Sequence, residues 1–400
     1  MLSNCNNSKD SFDLMVKYID EKLVSKLKLL QNKETFRSKM ERTLTQMILN
    51  TVLPRKAEPM ITTTAVTPLN GICRRPPLSQ LLEDVFERNR QTDVVYESKL
   101  KLRQKIYCLL TKQMTERIDL FLIGSSLTNL GSNCSDTDLC LIIYDSDNQI
   151  DSKYEERDAV LSKLDELDKI FEINGMSSKA QVIPALVPIL KFIETSTNIE
   201  VNINVNRLVT IRNTHLLHVY SLMDKRVAKL ILTIKLWAKK NGINSAFNKS
   251  LTSYSISLMV IHFLQNACSP PVVPVLQRDF PQLFSGDVTR LRLNNGSGLL
   301  FKSANNQSLG QLFTQFFEYY CLYFNFDKVI SVRSGALLDK EVLVCRTEPQ
   351  VWQWKCHICI EEPFIGTNTS HAVHNCQMFR QILQKFMDTY QLLISGTFIP

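Results

Sequence analysis

The stretch LFLIGSSLTNLGSNCSDTDLCLII, between Leu120 and Ile143, restricts the fold of this chain more than any other. Its first apolar residues read as a buried strand closing at Gly124 and Ser125, and a second strand candidate, DLCLIIY, opens at Asp138. Side chains alternate along a strand, so Asp136 and Asp138 share one face while Leu139 and Leu141 pack the other. Two carboxylates on one face can hold a divalent cation. A glycine ahead of a serine lets backbone N–H groups approach a triphosphate, and the Ser125 hydroxyl can bind a phosphate oxygen. Ser-Asp-Thr-Asp by itself is ordinary turn chemistry. The order strand, Gly-Ser, spacer, Asp-x-Asp and apolar strand is far more restrictive, and it reads as a site for a metal and a polyphosphate.

A chain of 400 residues with 44% hydrophobic content supports two compact domains, since single cores stop growing near ~250–300 residues. The excess of 47 Lys and Arg over 39 Asp and Glu, +8 in all, suits a polyanion such as RNA or a nucleoside triphosphate. Eleven cysteines lack regular spacing, and MLSNCNNSKD has no basic segment followed by an apolar run. We therefore expect an intracellular protein with reduced thiols. No apolar run approaches the ~18 residues of a membrane span. Cys356 and Cys359, followed by His371 and His374, have metal-like spacing, but the alternation of Cys356, Ile358 and Ile360 favours strand packing over zinc.

Phe12, Met15, Ile19 and Leu23 fall at helical spacing within residues 12–50, and the Pro- and Thr-rich stretch after them reads as a linker. We expect this helical extension and linker over residues 1–77, a catalytic domain over 78–205 whose first helix is free to pack on the next domain, and a helical domain over 206–400. A helical pattern runs from Leu78 through the segment after LSQLLEDVFERN; the strand at Leu120 follows. An acidic amphipathic helix from Tyr154 to Phe171 and the strands VPILKF and IEVNINVN complete this part. Beyond Leu216 the long helical patterns KRVAKLILTIKLWAKK and SYSISLMVIHFLQ dominate. The fold class is α+β, with the mixed part first.

Taken with PILKF, NVNRLVTIRNTHLL, IKLWAKK, SLTSYSISLMVIHFLQ, ISVR and ICIEEPFIGTNT, the Gly-Ser and Asp-x-Asp segment resembles the polymerase-beta-like nucleotidyltransferase superfamily. Within it the chain is similar to the noncanonical cytoplasmic poly(A) RNA polymerases of the germline-development type. The likeness covers residues 78 to 390. It implies a mixed-sheet palm and a mainly helical central domain containing the poly(A)-polymerase-associated region, with nucleotide and RNA in the cleft between them. It also implies that Asp136 and Asp138 bind metal and that Gly124 and Ser125 bind nucleotide. By the same resemblance Asn213 and Thr214 contact the ribose, Lys235 and Lys239 neutralise triphosphate oxygens, Ser253 touches the phosphates and Tyr254 stacks on the base. Asn368 stands near the place where related uridylyltransferases carry a histidine, which implies selection of adenine.

One position departs from the family. Its third aspartate lies on a later strand, and here Asn202 of EVNINVN takes that place. The family's carboxylate binds the ion that activates the attacking 3′ oxygen and helps accept its proton; asparagine supplies neither a charge nor a base near neutral pH. Three readings stay open: an engineered substitution that traps substrate, a naturally silenced RNA-binding or scaffold protein, or an enzyme that uses another carboxylate. Glu200, two residues earlier on the same strand face, is available for the last. The resemblance implies Mg²⁺ or Mn²⁺ as cofactor, ATP as substrate, an RNA 3′ end as acceptor, and a cytoplasmic location with or without a nuclear pool. A terminal uridylyltransferase is the nearest rival. No added RNA-binding module is visible, so a separate RNA-binding protein is the expected recruiting partner, and no membrane is.

Overall fold

The computed structural model describes residues 77–288, 301–344 and 351–395. The amphipathic segment within residues 12–50 lies outside these. The first described pattern is two helices rather than one: α1 (Leu78–Asn89) and α2 (Asp93–Gln113). Arg90 takes an extended conformation (φ −57°, ψ 149°), and Thr92 caps α2 by accepting from the Val95 N–H. The cap gives an otherwise orphaned helix-end donor a partner, and so fixes where the second helix starts.

The break matters because the two helices bury themselves in different cores. Leu78, Leu82 and Phe86 of α1 join the helical core, whereas Leu102, Ile106 and Leu110 of α2 cover the sheet. That sheet has five strands in the order β1-β2-β5-β4-β3: β1 (Ile118–Ile123), β2 (Thr137–Ile143), β3 (Ser177–Ile183), β4 (Ile189–Glu194) and β5 (Glu200–Val205). Only β2 and β5 run parallel. Strand β3 went unread in the sequence for a physical reason: it is a half-exposed edge with a register shift between Ser178 and Gln181, so SSKAQVI shows no apolar alternation.

Period-two alternation sorts the central strands. Leu139, Leu141, Val201 and Ile203 point to α2 and to α3 (Arg157–Ile173), whose Val160, Leu164, Leu167 and Phe171 complete that core. Cys140 and Ile142, on the opposite face of β2, pack against Ile211 of α4 (Leu208–Met223). Asp138 and Asn202 belong to this second face and are direct register partners across the parallel pair.

The helical part assembles α1, α4, α5 (Lys225–Lys240), α6 (Ser253–Asn266), α7 (Leu309–Glu318) and α8 (Cys376–Ser395) around an aromatic centre. Trp237 meets Phe317 and Phe386 edge-on with ring centroids 4.7 and 5.0 Å away, and donates its indole N–H to Thr389. Such contacts add to area burial while satisfying the one polar atom of the ring. A small sheet, β7-β6-β8, from β6 (Lys328–Ser331), β7 (Ala336–Asp339) and β8 (Cys359–Ile360), lies beside α6. Among the described residues, no helix is long and apolar enough to cross a membrane.

Candidate active site

The turn after β1 requires glycine twice over. Gly124 has φ +69°, and a Cβ placed there would lie 2.7 Å from Asp138 Oδ2. Its N–H donates to Thr214 Oγ1 at 2.9 Å, and that hydroxyl donates in turn to the Thr210 carbonyl at 2.7 Å. Thr214 is buried and braces the turn from α4. Ser125 is half-buried beside it, and Gly131 approaches so closely that a Cβ there would be 2.8 Å from the Ser125 carbonyl oxygen.

Asp136, Asp138 and Asn202 come together. The Asn202 amide donates to Asp136 Oδ2 at 3.2 Å and to Asp138 Oδ1 at 3.0 Å. Its own Oδ1 is buried without a partner. Burial pushes the Asp136 carboxyl up to about 6, with neighbouring Glu200 adding to the rise and Asn202 opposing it. Asp138 is likewise raised by burial, against the pull of Asn202, Lys99 and Lys235. Glu200 is the other half of that coupling: burial disfavours its charge most, but Lys191, the hydrogen bond with Asp136 and the Lys239 charge together hold it below the usual carboxylate range. Glu200 therefore stays ionised on Lys191 while Asp136 is the readier of the two to take a proton. Among the described residues no three carboxylates, imidazoles or thiols converge as a metal site, since the third place beside the aspartates is an amide.

The donor set fits one divalent cation. Two carboxylates whose ionised forms are penalised by burial, with a hydrogen-bonded amide as their shared neutral neighbour, form a site that positive charge would stabilise. The unpartnered Asn202 oxygen is a further hard donor within the same cluster.

Lys235 of α5 donates to the Leu130 carbonyl at 2.8 Å; burial lowers it to about 8, and the Asp138 charge resists that fall. Lys239, one turn on, is exposed, and its charge reaches Glu200. Tyr254 of α6 and Asn213 of α4 converge on Glu362. The Tyr254 hydroxyl lies 3.5 Å from Glu362 Oε1, and Asn213 keeps a buried, unpartnered Oδ1. Glu362 accepts from the N–H groups of Phe364 (2.9 Å) and Ile365 (2.5 Å), and burial raises its carboxyl above the usual range. Sequence reading quoted its EEPF segment but gave Glu362 no role; the signal was an acidic pair between an apolar strand and a proline. Ser253 is exposed and bonded to Asn244.

Asn368 is turned inward, away from the role expected of it. It is buried, its oxygen accepts from the N–H of Ile360, the N–H of Ser370 and the Ser370 hydroxyl, and its amide donates to the Gln353 and Ile358 carbonyls. Those bonds exhaust an asparagine, so the side chain organises its own loop and has nothing to offer a base. The cysteines beside it are also internal: the Cys356 thiol donates to the His371 carbonyl, and the Cys359 thiol to that of Cys356.

Lys99 was missed as well. It occupies the apolar stripe of α2 with Leu102, Ile106 and Leu110, is 1% exposed, and its ammonium reaches Ser126 and the Asp136 backbone. A lysine at a stripe position was the available signal.

A mixed palm sheet with a Gly-Ser turn over paired aspartates, closed by a helical domain, defines the polymerase-beta-like nucleotidyltransferase class. Residues 78–222 match the family described as "Poly(A) RNA polymerase, mitochondrial-like, central palm domain", and residues 308–368 match "Cid1 family poly A polymerase". The chain is 38% identical over 325 residues to the poly(A) RNA polymerase gld-2 homolog A of Drosophila melanogaster, covering 80% of this chain and 23% of that protein. A solved GLD-2/RNP-8 complex contains a chain 35% identical to this one, with a TM-score of 0.66 over 79% of this chain and 94% of that one. A Cid1 poly(U) polymerase structure, 24% identical with a TM-score of 0.62 over 79% and 94%, shares the fold. The chain belongs to the GLD-2 family of poly(A) RNA polymerases. It spans less than two thirds of the length of the curated relatives it matches.

Proposed function

We propose that this chain is a template-independent RNA adenylyltransferase that adds AMP from ATP to RNA 3′ ends. The observation that carries the reading is the meeting of Gly124, Asp138 and Asn202: a turn stripped of its Cβ faces the carboxylate pair at the start of β2, with Asn202 opposite Asp138 on the adjacent parallel strand. The turn admits phosphate oxygens, with the Ser125 hydroxyl as a donor and the exposed Lys239 ammonium, whose charge reaches Glu200, as a further cation. Tyr254 supplies an aromatic face for the base, and Glu362 fixes its hydroxyl edge and the Asn213 amide. A divalent cation, Mg²⁺ or Mn²⁺, held by Asp136 and Asp138 would supply the charge that orders the triphosphate and stabilises departing pyrophosphate.

The attacking 3′-OH must lose its proton, and Asn202 cannot take it. Glu200, ionised on Lys191 and next to Asp136, is the nearest remaining base, but its ion pair makes it a weak one. The chain as it stands is therefore a slow enzyme with a sound nucleotide site. Family membership supports ATP over UTP. The relative solved with RNP-8 supports recruitment by a separate protein, and a cytoplasmic location follows from the same reading.

The test is Asn202→Asp, which places a third carboxylate opposite Asp138. Losing a charge at a developing oxyanion costs on the order of 3 kcal/mol, so extension of a labelled oligoadenylate should rise by about a hundredfold or more. Asp138→Ala in the restored background should abolish it. Equal rates for the given chain and Asn202→Asp would refute the assignment of Asn202, and predominant UTP incorporation would refute the adenylyl reading.

A further inference from the structure

Lys99 is a buried charge that the chemistry above does not use. Its ammonium lies 2.7 Å from the Ser135 carbonyl, 3.3 Å from the Asp136 carbonyl, 3.0 Å from Ser126 Oγ and 3.0 Å from Gln91 Oε1. All four acceptors are neutral, whereas a buried ammonium is ordinarily neutralised by a carboxylate in contact. What they share is position. Ser126 ends the Gly-Ser turn, and Ser135 and Asp136 lead into β2. Gln91 closes the ring by donating to the Ser126 carbonyl at 2.9 Å, while its N–H donates to the Gly131 carbonyl at 3.0 Å. Burial lowers the Lys99 ammonium below its usual range, and the charges of Asp138 and Asp136, beyond contact distance, oppose that fall.

We propose that Lys99 is a positioning residue, whose ammonium staples the end of the Gly-Ser turn to the backbone entering β2 and so holds the phosphate-binding turn and the carboxylate pair as one unit. The inference rests on the nucleotidyl-transfer reading of the site. A neutral isostere would leave the Ser135 carbonyl without this donor and the Asp136 carbonyl with only the Ser126 hydroxyl at 3.3 Å, so the junction between the turn end and β2 would loosen even though Lys235 still holds Leu130. Nothing else on α2 spans that gap, because its neighbours in the stripe are hydrocarbon.

The experiment compares Lys99→Met with Lys163→Met. Lys163 is also buried, but in an ion cluster with Glu116 and Glu166. Both variants should melt at lower temperature than the parent. Below those temperatures only Lys99→Met should lose Mg·ATP affinity, by on the order of tenfold or more in calorimetry, since hydrogen bonds to a charged group are worth that much. Amide hydrogen exchange should accelerate at Ser125–Leu127 and Ser135–Asp138 in that variant alone. If Lys99→Met does not fold, Gln91→Ala should show the same pattern in weaker form. Matching affinity and matching exchange in the two lysine variants overturn the proposal. If the parent fails to bind Mg·ATP, the nucleotide reading falls and exchange alone decides: acceleration confined to the two stapled segments upholds the positioning role, and its absence removes it.

Discussion

Asp136 is held in a state that folding resists. Its carboxyl is pushed up to about 6 by burial and by Glu200, compared with an ordinary carboxylate value near ~4. The sign follows from linkage. Below the unfolded value both states carry the proton and there is no cost; as pH rises through the window to about 6 the native state is forced to ionise, and the cost is complete at neutral pH. Asp136→Asn should therefore raise the melting temperature of the metal-free protein at pH 7, and the gain should shrink as pH falls toward ~4. Differential scanning calorimetry of the two proteins across that range reads it directly; a gain that is the same at every pH would contradict the buried-charge account. The same variant should lose Mg·ATP binding, because the charge that burdens the fold is the one the cation needs. At this scale the sequence was readable wherever residue type and chemistry coincide, as in Asp136, Asp138 and Asn202. It was not readable for Thr214 and Asn368, because a side chain's hydrogen-bond partners depend on which loops fold back onto it. Lys99 lies between these cases: its stripe position was visible, its four acceptors were not.

The unit formed by β1, the Gly124 turn and β2 is where local strain and function meet. Gly124→Ala combines a left-handed backbone with a Cβ that would lie 2.7 Å from Asp138 Oδ2, so either the turn or the aspartate must move. We expect a loss of about 1–3 kcal/mol in stability and of most Mg·ATP affinity together. Chemical denaturation alongside calorimetry checks it, and retention of parental affinity would show that the turn can yield without disturbing Asp138. Elements with a full apolar period declared themselves in the sequence: α5 and α6 follow the patterns read for them, β4 begins in VPILKF and runs two residues beyond it, and β5 falls within IEVNINVN. Strand β3 did not, because an edge strand draws its stability from its neighbour rather than from its own alternation, and the strand alternation read over Cys356–Ile360 is realised only as the two-residue parallel pairing of β8.

Across the whole molecule, the palm and the helical domain are not joined by a single linker. Helix α1 precedes the palm in sequence yet packs on α5 and α7, with Gly310 of α7 seated against Leu78 and Ser79. A Cβ at Gly310 would already lie 3.1 Å from Leu78 side-chain atoms, and the Gly310 N–H donates to Ser79 Oγ at 2.9 Å. Gly310→Val should prise α1 from its seat and cost about 1–3 kcal/mol by overpacking. Urea denaturation should show the shift in midpoint, while an unchanged midpoint would mean that α1 contributes little to holding the domains together.

Leu130 belongs by chain to the palm and by packing to the helical core, and Lys235 grips its carbonyl from α5. One side chain of the loop between the Gly-Ser turn and β2 is thus riveted into the helical core. Withdrawing a buried leucine costs about 2–3 kcal/mol before the lost hydrogen bond is counted. That loop is therefore coupled to the helical core, and any displacement of α5 must drag on the backbone that leads to the carboxylates.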